Sequence, residues 1–320
     1  MLAGAHEDAL RPGGVSVSPS GTPPVVNALS IDVEEHYHAT IFQEAVNGAT
    51  AGLASRVENS TERVLALLAG ARVKGTFFVL GEVAAAHPAL VRQIAREGHE
   101  VACHDYHHML VFGRAPDTFR ADVRRAKAVL EDTAGQAVLG YRAPSFSIGA
   151  TERWAYAILA EEGFRYDSSV YPILHDRYGD RVAPRFPYEI WRSGQERLIE
   201  FPIGTVRLLG VNLPVGGGGY FRLLPSRLVE AGIRRVNRAE HKPIMFYFHP
   251  WELDHEQPRA AMPWHRRFRH YVGQRRHEAK LAGLLRRTPF GTVRDVLEQA
   301  LPGSIGTESA DGRVAPGSKR

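Results

Sequence analysis

Four short segments hold most of the side chains able to do chemistry. The first, Ser30-Ile31-Asp32-Val33-Glu34-Glu35-His36-Tyr37-His38, ends an apolar run in three carboxylates. Residues two apart on a strand share a face, so Asp32 and Glu34 converge if the run is extended. Converging carboxylates at the C-terminal end of a parallel strand stand where barrel active sites form; the same charges also suit a solvated loop. The second segment, Gly98-His99-Glu100-Val101-Ala102-Cys103-His104-Asp105-Tyr106-His107-His108, places four histidines within ten positions. His104 and His108 are four apart and share a face if the segment makes a helical turn. An imidazole pair completed by one carboxylate leaves metal positions open for water, whereas a pair alone is often structural.

The third segment, Gly140-Tyr141-Arg142-Ala143-Pro144-Ser145-Phe146, offers a guanidinium. Arg142 can hydrogen-bond a carboxylate and hold it ionised and oriented, or simply cap a loop. The fourth is Met245-Phe246-Tyr247-Phe248-His249-Pro250-Trp251-Glu252. His249 follows four bulky apolar residues and sits near an indole. A histidine there, neutral or charged near pH 7, suits a general acid; it could equally rest on a backbone carbonyl.

The elements that must carry these residues alternate. Val25 to Val33, Gly75 to Leu80, His99 to Ala102 and Val138 to Tyr141 read as strands. Arg56 to Ala71, Pro88 to Glu97, Pro116 to Asp132 and Thr151 to Glu162 read as helices, with proline at the start or glycine past the end. Such alternation predicts an α/β fold with a parallel sheet or barrel. Residues 181–225 read as irregular loops with hairpins. Two later helices, about 225–240 and 264–287, flank a strand from Ile244 to Phe248. The run Gly216 to Gly219 reads as a mobile loop near a site; it lacks the lysine and the strand-to-helix setting of a phosphate loop.

The four segments, in this order and with the strand Thr76-Phe77-Phe78, resemble the polysaccharide deacetylase family, which shares homology with chitooligosaccharide deacetylase. The likeness runs over about residues 27–255. DVEEHYH (32–38), GYRAPSFSI (140–148), YDSSVYP (166–172) and FYFHPWELD (246–254) resemble the branch associated with exopolysaccharide and exosortase loci. The resemblance implies a distorted, incomplete (β/α) barrel of mostly parallel strands with a C-terminal extension from about residue 200. It implies a divalent metal, commonly Zn2+, and hydrolysis of N-acetyl groups on a polysaccharide or saccharide precursor. By the same likeness Asp32 is the general base, His104 and His108 metal ligands, Arg142 the partner that orients Asp32, and His249 the general acid. Many relatives carry adjacent aspartates, so the third ligand here is Glu34 or Glu35. Strand alternation favours Glu34. Tyr141, Pro144 and Trp251 are expected to touch substrate, and Phe146, Tyr171, Trp191 and Tyr220 could stack on sugar rings or be core. Two rivals remain: a cyclic-amide hydrolase of allantoinase or imidase type, and a non-catalytic glycan-binding module.

Bulk composition limits the partners. The formal net charge of +5 is thin against 40 basic and 35 acidic residues, so no nucleic-acid partner is expected. A single cysteine, Cys103, excludes an intramolecular disulfide framework and suits a reducing compartment. Residues 1–24 lack the basic flank and unbroken apolar core of a signal peptide, and no stretch approaches the roughly 18 apolar residues of a membrane span. A cytoplasmic location is expected by default. Residues 1–24 and 301–320 read as tails around a domain covering 25–300.

Overall fold

The structure is a computed structural model that describes residues 24–50, 52–175 and 178–305. Apart from residue 24 and residues 301–305, the two tails inferred from the sequence lie outside the described residues. Strands β1 (Asn27–Val33), β2 (Thr76–Val79), β3 (Glu100–Cys103), β4 (Gly140–Tyr141) and β5 (Tyr166–Asp167) lie side by side in sequence order, all parallel. Every residue of β1 is buried, as a strand covered on both faces must be. Helices α1 (Thr40–Ala45), α2 (Val57–Ala71), α3 (Gly81–Ala86), α4 (Pro88–Arg96), α5 (Pro116–Ala134) and α6 (Trp154–Glu161) fill the connections.

The hairpin of β6 (Tyr188–Ser193) and β7 (Glu196–Glu200) extends the sheet, with β7 parallel to β5. Strands β8 (Thr205–Leu208) and β9 (Val211–Pro214) form a separate hairpin. After α7 (Gly218–Leu223) and α8 (Ser226–Arg235), β10 (Met245–Phe248) returns beside β1. Helices α9 (Trp264–Tyr271) and α10 (Gln274–Arg287) follow; Gly273, at φ 75°, breaks the single helix expected over 264–287. Strand β11 (Phe290–Gly291) and helix α11 (Val293–Ala300) end the fold. Beyond β10 no further strand closes the sheet; among the described residues isolated bridges alone join Ile203, just past β7, to Met245 and Gly217 to Tyr247. This is a curled, mostly parallel sheet and an incomplete barrel, the α/β class that the alternation predicts.

Pleating sorts the side chains. Leu29, Ile31, Phe77, Val79, Val101 and Phe246 point outward into the core shared with the helices. Ala28, Phe78, Ala102, Tyr166, Met245 and Tyr247 point inward, where Val293, Val296 and Leu297 of α11 plug one end. The C-terminal ends of the strands form the other end. The glycine run 216–219 is not a mobile loop: Tyr247 N donates to Gly216 O at 2.8 Å, and a Cβ on Gly217 would lie 2.0 Å from the Tyr247 carbonyl oxygen. Glycine is there because two backbones touch.

Gly140 is a second close approach. A Cβ would fall 2.0 Å from the Tyr166 ring, whose hydroxyl donates to Glu100 at 3.0 Å inside the barrel. We therefore expect Gly140→Ala to destabilise the protein by at least about 1–3 kcal/mol through overpacking, measured by urea unfolding. Unchanged stability would refute this packing of β4 on β5.

Candidate active site

Asp32, Glu34, His104, Arg142 and His249 all stand at or just past the C-terminal ends of β1, β3, β4 and β10. They are at most slightly exposed and gather at one rim of the curled sheet. Arg142 is fully buried. Its Nη1 donates to Asp32 Oδ1 at 2.5 Å, its Nε to Ser168 O at 3.0 Å and its Nη2 to Ser168 Oγ at 2.9 Å. The guanidinium lies 4.1 Å from the centre of the Phe78 ring. Each nitrogen of the cation thus has an acceptor, as a buried charge requires.

Glu34 sits between the two histidines. His108 Nε2 lies 2.7 Å and His104 Nε2 3.7 Å from Glu34 Oε2. Oε2 is nevertheless buried with no hydrogen-bond donor of acceptable geometry, while Oε1 accepts from Trp251 Nε1 at 3.1 Å. His104 Nδ1 contacts Arg142 O at 2.8 Å, which fixes Nδ1 as the protonated nitrogen and leaves the Nε2 lone pair facing Glu34. One ligand atom from each of Glu34, His104 and His108 falls within 4.8 Å of the others. A buried oxygen without a donor beside two imidazole nitrogens fits a cation. Burial opposes the Glu34 charge, yet His108 and His104 outweigh it and hold the carboxylate well below its ordinary pKa; burial lowers that of His108. Both directions favour the ligand forms.

Glu35, the alternative ligand, points elsewhere. It accepts from the backbone N–H of Arg56 and Val57 and from Ser55 Oγ, capping α2 from outside. The histidine segment is not a helical turn but a loop, with Asp105 at φ 73° and His108 at φ 54°. Arg114 clamps it by bonding Asp105 at 2.6 Å and Asp122 at 2.7 Å. Tyr141 is core, edge-on to Phe119 and Phe164, and Pro144 is buried at the start of a short 3-10 turn. Neither lines the cleft, because the pleat turns Tyr141 to the helix side of β4. Trp251 lines it, but its indole N–H is spent on Glu34. Phe146 and Tyr220 line the cleft, whereas Tyr171 and Trp191 do not.

His249 lies with Nε2 3.8 Å from Asp32 Oδ2 and 3.7 Å from Glu34 Oε1. Its Nδ1 contacts Glu252 Oε1 at 2.6 Å. Arg222 Nε, from α7, holds Glu252 Oε2 at 2.9 Å. Burial disfavours the His249 charge, but the bond to Glu252 and the nearby carboxylates outweigh it and lift its pKa to about 9. Glu252, despite its burial, is held at about 2 by Arg222 and His249. Sequence reasoning did not single out Glu252, Arg222 or Ser168. The three-residue spacing from His249 to Glu252 is a capping-box spacing that could have flagged the first; Arg222 has no local signal. Below Ser168, Asp167 and Glu200 form a buried acid pair in which burial raises both pKa values, so the pair keeps a proton between them. Ser169 Oγ and the Val170 N–H bond this pair at 2.6 and 3.0 Å and hold the loop that grips Arg142.

The rim opens into a cleft of about 1430 Å3. A family model described as polysaccharide deacetylase matches residues 49–165. A second model, described only as a domain of unknown function (DUF3473), matches residues 168–298. This chain is 34% identical over 96 residues to a peptidoglycan-N-acetylglucosamine deacetylase of Bacillus cereus, covering 30% of this chain and 35% of that protein. It is 40% identical over 73 residues to a chitooligosaccharide deacetylase of Rhizobium leguminosarum bv. trifolii, covering 23% and 31%. The match thus spans about a third of the length of these curated relatives. Among solved structures, a candidate polysaccharide deacetylase from Mycobacterium smegmatis superposes with a TM-score of 0.57 at 21% identity, over 96% of this chain and all of that one. Puue allantoinase superposes with a TM-score of 0.56 at 13% identity, over 88% and 96%. These two likenesses show the polysaccharide deacetylase-like fold alone, since an allantoinase shares it.

Two carboxylates adjacent in sequence predict opposite outcomes here. Glu34→Gln should abolish divalent-metal retention after dialysis, read by plasma mass spectrometry. Glu35→Gln should retain the metal and lose about 1–2 kcal/mol in urea unfolding, the cost of a weakened helix cap. The reverse pattern would assign the ligand to Glu35.

Proposed function

We propose that this chain is a metal-dependent N-deacetylase acting on an N-acetylated glycan. The observation that carries the reading is the meeting of three sets of groups at one rim: a carboxylate locked by a buried arginine, a cationic histidine facing it, and a Glu-His-His set fit for a metal. The family match of residues 49–165 supports it. When bound by Glu34, His104 and His108, a divalent ion, which we take to be zinc, supplies polarisation of the acetyl carbonyl and acidification of a water.

The chain's own groups do the rest. Asp32, kept oriented by Arg142, takes the proton of the attacking water as the new C–O bond forms. His249 enters as imidazolium and gives its Nε2 proton to the sugar nitrogen as the C–N bond breaks, releasing acetate and an amine. Glu252, fixed by Arg222, orients the His249 ring through Nδ1 and stabilises the cation. The cleft is large enough for a saccharide chain, and Phe146, Tyr178 and Tyr220 give it faces for sugar rings. A role in exopolysaccharide synthesis is the narrower part of the proposal, and it rests on the resemblance of segments 32–38, 140–148, 166–172 and 246–254 to that branch.

Acetate release from N-acetylglucosamine oligomers, assayed beside allantoin and with and without a chelator, tests the reading. Release from the oligomers alone, lost with chelator, is expected; hydrolysis of allantoin alone, or oligomer binding without release, would replace it. Asp32→Asn and His249→Ala should each reduce kcat about 10^2–10^4-fold. Because His249 must be protonated to act, kcat should fall as pH rises through its pKa of about 9. Glu252→Gln removes the strongest raising influence and should move that alkaline limb to lower pH. An unmoved limb would free Glu252 of this role.

A further inference from the structure

One flank of the cleft mouth has a charge unlike the rest of the chain. Residues 257–277 contain six arginines and no aspartate or glutamate. Helix α9 lies at the centre of this stretch and meets the body through His270, its one buried residue. His270 stacks on Trp251 at 4.8 Å and lies 5.9 Å from the Phe42 ring. The opposite face of α9 carries Trp264 and Phe268, four apart and therefore adjacent on a helix, at 81% and 51% exposure. Phe268 also lines the cleft mouth, together with the exposed Leu174 and Leu223. Arg267 and Arg269 stand beside these rings on the same helix, and Arg259, Arg275 and Arg276 line a neighbouring depression with His255, Tyr271 and Lys280; all five arginines are exposed. Among the described residues, Arg267, Arg275 and Arg276 have no carboxylate partner; Arg266 reaches Glu44 at 3.2 Å.

An exposed indole and phenyl ring within a cluster of guanidinium groups is the composition of a helix that lies in a lipid interface. Rings enter the boundary between headgroups and acyl chains, and arginines meet the phosphates. A soluble polyanion would neutralise the arginines but leave Trp264 and Phe268 in water. No helix among the described residues is long and apolar enough to cross a bilayer, so the contact would be peripheral. We propose that α9 and its flanking arginines dock this chain on an anionic lipid bilayer, with the mouth of the cleft turned towards the lipid surface. The docking stands apart from the deacetylase reading, since it uses none of the groups at the rim.

Flotation of the full chain with vesicles of phosphatidylcholine alone, or mixed with phosphatidylglycerol, tests it. Binding to the mixed vesicles only, weakened by added salt, is expected. Trp264→Ser should lower that binding severalfold, and Arg267→Gln roughly fivefold, the effect of one basic residue near an anionic surface. Both positions are exposed, and unchanged thermal unfolding would show that each variant folds. Absence of flotation with the mixed vesicles would overturn the proposal. So would binding that heparin competes away and that Trp264→Ser leaves intact, which would identify a polyanion site instead.

Discussion

The pair of Arg142 and Asp32 governs the rim. A fully buried guanidinium is tolerable only when each donor edge has an acceptor, and here β1, β4 and the turn after β5 all converge on one side chain. Removing one member of such a pair typically costs about 3–5 kcal/mol, because it strands the other charge. The pair therefore couples the geometry of the rim to stability. Any shift of β4 against β1 would pull Arg142 from Asp32, and His104 would move too, because its Nδ1 rests on the Arg142 carbonyl.

A second layer of contacts shows how the sheet divides the labour. Side chains turned outward, such as Ile31, Val79 and Val101, secure the helices, while those turned inward carry the polar groups near the rim and bulky rings such as Phe78 and Tyr247 beneath them. The low-dielectric floor makes each charge above it depend on named partners rather than on water. Segment 168–298 is not an appendage in this respect. It supplies Ser168, Glu200, Arg222, His249 and Glu252, so the region matched by the model of unknown function completes the surroundings of both Asp32 and His249.

Much of this was legible in the text of the chain. Strand alternation placed Asp32 and Glu34 on one face, and the inward pleat of β1 brings both to the rim. His104 and His108 were paired on a helical spacing, yet they meet through a loop held by Arg114, a residue whose contacts with Asp105 and Asp122 no periodicity announces. Tyr141 looked like a ring beside the site, but strand parity sends it to the opposite face from Arg142. Glu252 was within reach as a local spacing. Arg222 and Ser168 were not, because they belong to the site only through tertiary packing: Ser168 meets Arg142, 26 positions away, and Arg222 meets Glu252, 30 positions away.

The placement of β1 has a consequence for how the molecule is made. Its neighbours are β10 on one side and, on the other, β2 with β11 alongside its first residues; β10 and β11 lie more than 200 residues later. Asn27 is stitched to the Asn237 side chain, the Ile244 amide and the Pro289 carbonyl. During synthesis the β10 edge of β1 must therefore stay bare until residue 248 has left the ribosome. Long-range parallel pairing of this kind folds slowly and exposes a sticky edge meanwhile. Asp32 and His249 can face each other only once β10 has paired with β1, so the rim stays unfinished until that long-range contact forms.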